Sequence, residues 1–492
     1  MEWLLDKKHL NEFKLHQYLY NKNQTVILLQ DVMDYFKWSK YLVTTTIDNL
    51  NHDYQSVMLP ANVTLKIVNK EVLKINQIHL INEFEILSYL IRNSIQYRLL
   101  LDLFLEQTTS NEKIAEIHGV SATLVRNAKL TLTKKLADRQ IKIVDNQLVG
   151  NEIVIRSLMF ESLYTLSTYG RQDVLATSPY FNEQLERAMV GNQSLSMQTK
   201  IGLQVFLNVW SIRLLNGHQL QPNAYRCGLV VNAELSDSAT RLYRGLMQIV
   251  SHNFTKFHNI TLIEFNYGLD FMYALGVRND GYRYGNLQPW IKTEYQIIQD
   301  IISSEYKHFF GIILSEPEKN LLADNLFALN FRLITLKENI LAPMNENFEE
   351  NVNFPIHTTF TRQVVKHLAA HWQVDETQLQ DQIFNQYLNA FIIALDQRRF
   401  LPVLKIGIDF IDQQGLTTVL IDYLTSYYGV WRSLNVTIIE SIDDTVDLYI
   451  SDTKVNRDLP GFIWRRMPSN LERMSLQETL ISLMVEKFKK NH

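Results

Sequence analysis

The chain has a single cysteine, Cys227, among 492 residues. A disulfide framework and a multi-cysteine zinc site are both excluded, and a reducing, cytoplasmic setting fits. Glycine (17) and proline (10) are scarce, which favours helices over a turn-rich β protein. Long apolar runs are missing too. The most apolar short run, Phe309 to Leu314, falls far short of the roughly 20 residues that span a bilayer, so no membrane partner is expected. The opening MEWLLDKKHLNEF is charged throughout and does not read as a secretory signal. No glycine motif for cradling phosphate is present. His367 and His371 lie one helical turn apart in HLAAH. Zinc hydrolases place a glutamate directly after the first histidine, and Leu368 stands there instead. The expectation is a non-enzyme with no catalytic residue, no metal and no cofactor.

What is present is a core-forming chain with uneven charge. The hydrophobic fraction is 46%, ample for several cores at this length. Residues 1–156 hold 19 Lys/Arg against 17 Asp/Glu, a net of +2, and the remainder holds 29 against 35, a net of -6. That asymmetry points to a nucleic-acid end and an acidic body.

The strongest local pattern is SNEKIAEIHGVSATLVRNAKLTLTKKLADRQIK, residues 110–142. Ile114 and Ala115 sit on a short helix, Gly119 supplies the positive φ of a tight bend, and Ser121 caps the next helix. Val125 and Ala128 face a core. Ser121, Thr123, Arg126, Asn127 and Lys129 are left on outward or flanking positions, as a helix entering a major groove requires. Lys134 and Lys135 extend the basic run. From Ala122 to Lys142 there are six bases and one acid, a patch suited to phosphate. His118 departs from the pattern, because an apolar residue usually precedes the glycine.

A second such unit lies upstream. Residues 29–51 place Val32, Met33 and Phe36 on one face, Trp38 in a turn, Ser39 as a cap, and Val43, Ile47 and Leu50 at helical spacing. Lys40, Tyr41, Thr44 and Thr45 face outward for base or phosphate contact. VTLKIVNKEVLKI, residues 63–75, alternates and turns at Asn69-Lys70 like a wing hairpin. Residues 82–107 read as one long helical stretch. QIKIVDNQLVGNEIVI, residues 140–155, reads as a second wing turning at Asp145-Asn146. Beyond come helical patterns to about residue 398. From Leu401 strands alternate with helices, which gives a small parallel-sheet domain.

This order of modules resembles the Mga/AtxA group of Gram-positive virulence regulators. The resemblance implies a mainly α, multidomain chain. It has a winged helix-turn-helix at 1–80 and a second, Mga-type helix-turn-helix at 81–156. Two helical bundles like phosphotransferase-system regulatory domains (PRD-like) follow at 157–285 and 286–400, and a small C-terminal α/β domain like an enzyme IIB subunit (EIIB-like) at 401–492. Gly281, Gly285 and Pro289 mark the linker between the bundles. SIRLLNGHQL (211–220) resembles the end of the family's regulatory-histidine helix, yet Asn208 stands near the histidine position. In NLFALNFRLITLKEN (325–339), if Arg332 takes the family arginine, Asn325 stands there. Asparagine accepts no phosphoryl group on nitrogen, so no family-matching phosphorylation site is expected. His218, read as a surface histidine, and His308 are weak substitutes. The loop at 411–416, IDQQGL, lacks the cysteine by which enzyme IIB subunits carry phosphate.

The resemblance further implies a cytoplasmic activator of transcription. Its partner would be double-stranded promoter DNA, AT-rich and often curved, bound by a homodimer that forms through the regulatory and EIIB-like domains. Phosphotransferase-system proteins or RNA polymerase would be its protein partners. The alternative is a PRD-containing RNA-binding antiterminator. That would carry a small β-rich RNA module where this chain shows helical patterns.

Overall fold

The scarcity of glycine and proline is visible at once: helices carry most of the chain, and the sheets are small. The computed structural model describes residues 1–22, 24–57, 63–106, 110–168, 195–221, 225–229, 261–276, 287–336, 353–410, 414–428, 434–440, 442, 445–454 and 458–491. The chain divides into two compact units, Met1–Asn286 with Thr335–Asn345, and Leu287–Ile334 with Glu346–His492. Gly281 and Gly285 of the expected linker lie outside the described residues.

The first unit opens with α1 (Lys7–Lys22), β1 (Val26–Leu28), α2 (Leu29–Phe36) and α3 (Lys40–Val57). Strands β2 (Thr64–Val68) and β3 (Val72–Asn76) form the expected hairpin, with Asn69 and Lys70 both at positive φ in the turn. Paired positive-φ residues match the twist of a tight hairpin. The sheet has a third strand that the alternation did not suggest: β1 pairs with β3, giving the order β1-β3-β2. Three residues are too few for a period to show.

Residues 82–107 are not one helix. They form α4 (Glu83–Asn93) and α5 (Ile95–Leu105), broken at Ser94. Ser94 is fully buried in extended backbone, its hydroxyl accepting from the N–H groups of Gln96 and Asp6. A buried serine that caps one helix and anchors a distant loop outweighs the apolar periodicity running through it. Helices α6 (Asn111–His118) and α7 (Ala122–Ala137) follow, then a hairpin of β4 (Lys142–Val144) and β5 (Gln147–Val149) turning at Asp145-Asn146. The wing is shorter than expected. Glu152 to Ile155 already belong to α8 (Glu152–Thr168). Asn151 caps that turn through the N–H of Ile153.

Helix α8 packs on α9 (Met197–Leu215), and α10 (Leu262–Ala274) joins them through charge as well as apolar contact. Arg156 on α8 is fully buried and donates to both carboxylate oxygens of Glu264, itself 0% exposed, at 2.8 and 2.9 Å. Arg156 also reaches Glu152 at 2.8 Å and the carbonyl of His218 at 2.9 Å. Arg213 on α9 pairs with Glu152 at 2.8 Å and with Glu106 at 3.0 Å. Trp210 donates its indole N–H to Glu264.

The second unit holds α11 (Pro289–Phe310), α12 (Glu316–Leu336, its end passing into the first unit's residues), α13 (Pro355–Trp372) and α14 (Glu376–Ala394). Tyr306, Phe310, Phe360, Phe391 and Phe400 meet in tilted and edge-on ring contacts around one core. The chain then changes period, as read. Strands β6 (Leu404–Asp409), β7 (Val436–Ile439), β8 (Leu448–Ser451) and β9 (Gly461–Ile463) make a parallel sheet of order β7-β6-β8-β9. Helix α15 (Gln414–Tyr428) connects β6 to β7 and α16 (Asn470–Asn491) closes the chain. All four residues of β8 are buried, Ser451 included, as a strand covered on both faces requires.

Two stability predictions follow from this packing. Glu264→Ala leaves the Arg156 guanidinium buried beside Glu152 alone, and should cost about 3–5 kcal/mol in urea unfolding. Removing the exposed Lys319–Glu316 pair should change little, on the order of 0–1 kcal/mol. Glu12 on α1 is a buried acid of the first unit. Burial pushes its carboxyl up to about 7, and Asp53 adds to the effect, against His9 and Lys8. An acid held above its usual value favours folding while protonated. Its contribution is therefore full below the ordinary 4.5 and lost as pH rises through about 7. Buried His16, pushed down to about 3, acts in the opposite sense on the acid side, losing its contribution as pH falls below 6.5. Glu12→Gln should flatten the decline in thermal midpoint between about pH 4.5 and 7 relative to the parent chain, leaving the His16 limb in place.

Candidate nucleic-acid interface

The bend between α6 and α7 is built as its residues require. Gly119 sits at φ +64 and ψ 34, and the N–H of Val120 returns to the carbonyl of Ala115 at 2.9 Å. Ser121 caps α7 through the N–H of Leu124 at 3.2 Å. The first unit makes the same bend without glycine. Lys37 takes the left-handed conformation (φ 56), the N–H of Trp38 returns to Met33 at 3.1 Å, and Ser39 accepts from the N–H of Leu42 at 3.3 Å. The helix after each bend buries one stripe at the same spacing: Val43, Thr46, Leu50 and Tyr54 on α3, Val125, Ala128, Leu132 and Leu136 on α7. The bend between α2 and α3 and the bend between α6 and α7 are thus built alike, each followed by a helix with the same buried stripe.

The departure at His118 has a partner. Its Nε2 lies 2.6 Å from Asp102 Oδ2 on α5, both side chains mostly buried. A polar pair there fixes α6 to α5, which an apolar residue would otherwise do by packing.

The expected contact residues of α7 separate into two groups. Thr123, Arg126, Asn127 and Lys134 are exposed, as is the capping Ser121. With Leu130, 58% exposed, they follow the i, i+3, i+4, i+7, i+11 spacing of one face opposite the buried stripe. Lys129 and Lys135 flank the stripe and turn inward. Lys129 Nζ donates to Asn146 Oδ1 in the hairpin turn at 2.6 Å. Lys135 Nζ donates to the carbonyl of Trp3 at 2.6 Å, and burial lowers its pKa. Sequence spacing could not reveal either tie, because both partners are far along the chain.

On α3 the outward positions carry little charge. Lys40 and Tyr41 are exposed, Tyr41 at 81%. Thr44 and Thr45 are half-buried, and the Thr44 hydroxyl bonds back to the carbonyl of Lys40 at 2.9 Å. The exposed Asp48 shares this face.

Asn208 is buried in α9 and Asn325 is exposed on α12. Arg213 lies in the ion-pair network and Arg332 is buried. His308 is exposed near the end of α11. His218 is not a free surface histidine: its Nε2 lies 2.6 Å from Glu106 Oε1, and it is 26% exposed. Its offset from the family pattern hid a role that only the return of Glu106 makes visible. His367 and His371 face Glu305 and Glu294 respectively, at 3.4 and 3.0 Å. Among the described residues no group of three His, Cys, Asp or Glu is placed to hold a metal ion. Cys227 is pushed up to about 12 by burial and by Asp270, so its thiol is not poised as a nucleophile. Residues 411–413 of the loop after β6 lie outside the described residues. Among the described residues no helix is long and apolar enough to cross a membrane.

The family model of the Mga helix-turn-helix domain matches residues 82–164, which is α4 through most of α8. No curated protein matches the chain. The match supports a DNA-binding transcription regulator and an Mga-like relationship for this part of the chain.

The two groups on α7 should separate in a salt titration of DNA affinity. Arg126→Gln and Lys134→Gln should each flatten the slope of log affinity against log salt by about 0.9. Lys135→Gln should leave the slope unchanged and lower the thermal midpoint instead.

Proposed function

We propose that this chain is a transcription activator that binds promoter DNA as a homodimer through its first 156 residues. The observation that carries this reading is the outward face of α7, with Thr123, Arg126, Asn127 and Lys134 exposed behind a capped glycine bend in the segment matching the Mga domain. A helix so presented can enter the major groove, its arginine and lysine holding phosphates and Asn127 facing the base edges. The proposed division is winged helix-turn-helix at 1–80, Mga-type helix-turn-helix at 81–156, PRD-like bundles at 157–285 and 286–400, and an EIIB-like domain at 401–492.

In this reading the bundles and the α/β end act by contact rather than by phosphoryl transfer. Asn208 and Asn325 stand near the positions for family histidines, and 411–416 holds no cysteine. The reading assigns no catalytic step. Phosphotransferase-system proteins or RNA polymerase would be protein partners, in the cytoplasm. Two linked DNA-binding halves gain effective concentration on adjacent half-sites.

The test is gel shift of the full chain with duplex DNA and with hairpin RNA of matched length. Duplex binding lost in Arg126→Gln/Lys134→Gln, with weaker RNA binding, is the expected outcome. Preference for the RNA hairpin would instead favour an antiterminator.

A further inference from the structure

Helix α5 ends in a socket. Its last turn closes on Glu106, whose N–H returns to the carbonyl of Asp102 at 3.0 Å and whose backbone is left-handed (φ 57, ψ 25). Glycine or asparagine is the usual choice for that conformation at a helix end, because a Cβ is crowded there. Here the stretch from Arg213 to His218, at the end of α9 and in the turn after it, holds the glutamate in place. Arg213 Nη1 and His218 Nε2 both lie on Glu106 Oε1, at 3.0 and 2.6 Å. Asn216 Nδ2 donates to the carbonyl of Leu105 at 3.4 Å. The Arg213 guanidinium lies over the Phe104 ring, 6.0 Å from its centroid. The Glu106 side chain is only 8% exposed. Cations and amide donors at the C-terminal end of a helix also answer its unpaired carbonyls.

The same turn carries the bend. Asp102, one turn before Glu106, takes His118 Nε2 at 2.6 Å, and His118 is the last residue of α6, next to Gly119. The final turn of α5 is therefore gripped from two sides, by the end of α9 through Glu106 and by α6 through Asp102. The hydrogen bond from the Glu106 N–H to the Asp102 carbonyl joins the two grips directly. Glu106 has two distinct choices: left-handed with the turn closed, or relaxed with the turn unwound. The socket contacts exist only in the first. A two-state element biased from both sides is what physical coupling between distant sites requires.

We propose that the last turn of α5 couples the end of α9 to the α6–α7 bend: while Arg213, Asn216 and His218 hold Glu106 left-handed the bend is fixed for DNA, and displacement of the end of α9 unwinds the turn and releases His118. This assigns a means of regulation to the interface described above. It rests on the DNA-binding reading, and the experiment separates the two.

Amide exchange in α6 and α7 of the full chain is followed for E106A, E106G and E106N, each alone and combined with D102A/H118A, and duplex affinity is measured on the same chains. The three substitutions at 106 remove the carboxylate alike. They differ in how readily they take left-handed backbone. Protection of α6 and α7 should be about tenfold lower in E106A than in E106G, with E106N close to E106G and duplex affinity in the same order. D102A/H118A should erase the difference. E106Q, which keeps the side-chain length without the charge, replaces E106A where alanine does not fold. Equal protection in E106A and E106G leaves Glu106 acting by charge alone and overturns the coupling. A difference that survives D102A/H118A does not pass through His118 and overturns it too. Unequal protection with equal duplex affinity confines the effect to the fold and overturns the control of DNA binding. A parent chain that binds no duplex removes the DNA reading, and the protection of α6 and α7 then decides the coupling by itself.

Discussion

The buried charge network around Arg156 and Arg213 is the constraint on which the first unit depends. Four elements meet there. Helix α5 ends at Glu106, α8 begins with Glu152 and Arg156, α9 contributes Trp210 and Arg213, and α10 contributes Glu264. Taking such charges out of water costs several kcal/mol per ion, and only complete pairing offsets it. Pairing is extensive. Glu264 receives both arms of Arg156, the Trp210 indole and the N–H of Leu220. The planar fork of arginine allows this where a lysine would offer one point charge. Arg213 also approaches the Leu148 carbonyl in the second wing. The helices that follow the second hairpin are thereby held in a register that apolar packing alone would leave free to slide.

This network also shows why part of the structure was legible and part was not. Helical spacing identified Val125 and Ala128, Val43 and Leu50, because burial acts on each residue by its position along a helix. Local signals identified both caps and both hairpin turns, since Ser121, Asn69 and Asp145 act on neighbours within a few residues. The change of period after Leu401 announced the parallel sheet. Partners distant in sequence left no such trace. Nothing near Arg156 points to Glu264, and nothing near Lys135 points to Trp3. For the same reason the break at Ser94 was invisible, because the N–H of Asp6 that it receives belongs to another part of the chain. The strand β1 was missed on different grounds, being too short for alternation to register.

The two bends make the point about sequence signals more sharply. Gly119 is the residue that physical chemistry prefers at a left-handed position, and it marked the second unit plainly. Lys37 adopts the same conformation at a steric cost of roughly 1–2 kcal/mol. The surrounding aromatic cluster offsets it: Phe36 stacks on Trp38 at 4.3 Å, and Tyr18 and Tyr35 close the ring edges around Phe36. A strained turn can thus be specified by what packs around it instead of by its own residue, and then only the aromatic content of the stretch betrays it.

On the proposed reading, the distribution of charge has a consequence for specificity. Phosphate contacts position a protein and base contacts choose the sequence. Helix α7 has a cation, an amide and a hydroxyl on one outward face, so it can do both. Helix α3 has Tyr41, Thr45 and Asp48 there, a nearly uncharged set with an acceptor able to meet a cytosine amine but poorly suited to phosphate. A helix of that kind gains little from approaching DNA by itself, since Lys40 at its start is the one cation it brings to counterion release on this face. It needs its position supplied from elsewhere in the same rigid unit. The sheet is joined to the start of α2 through the N–H of Leu29 on the carbonyl of Glu71, and to α3 through the two hydrogen bonds of Asn51 with Leu65. Those bonds make the lysine-bearing strands and the base-reading face of α3 a single body, so that whatever holds the sheet also sets where the helix points.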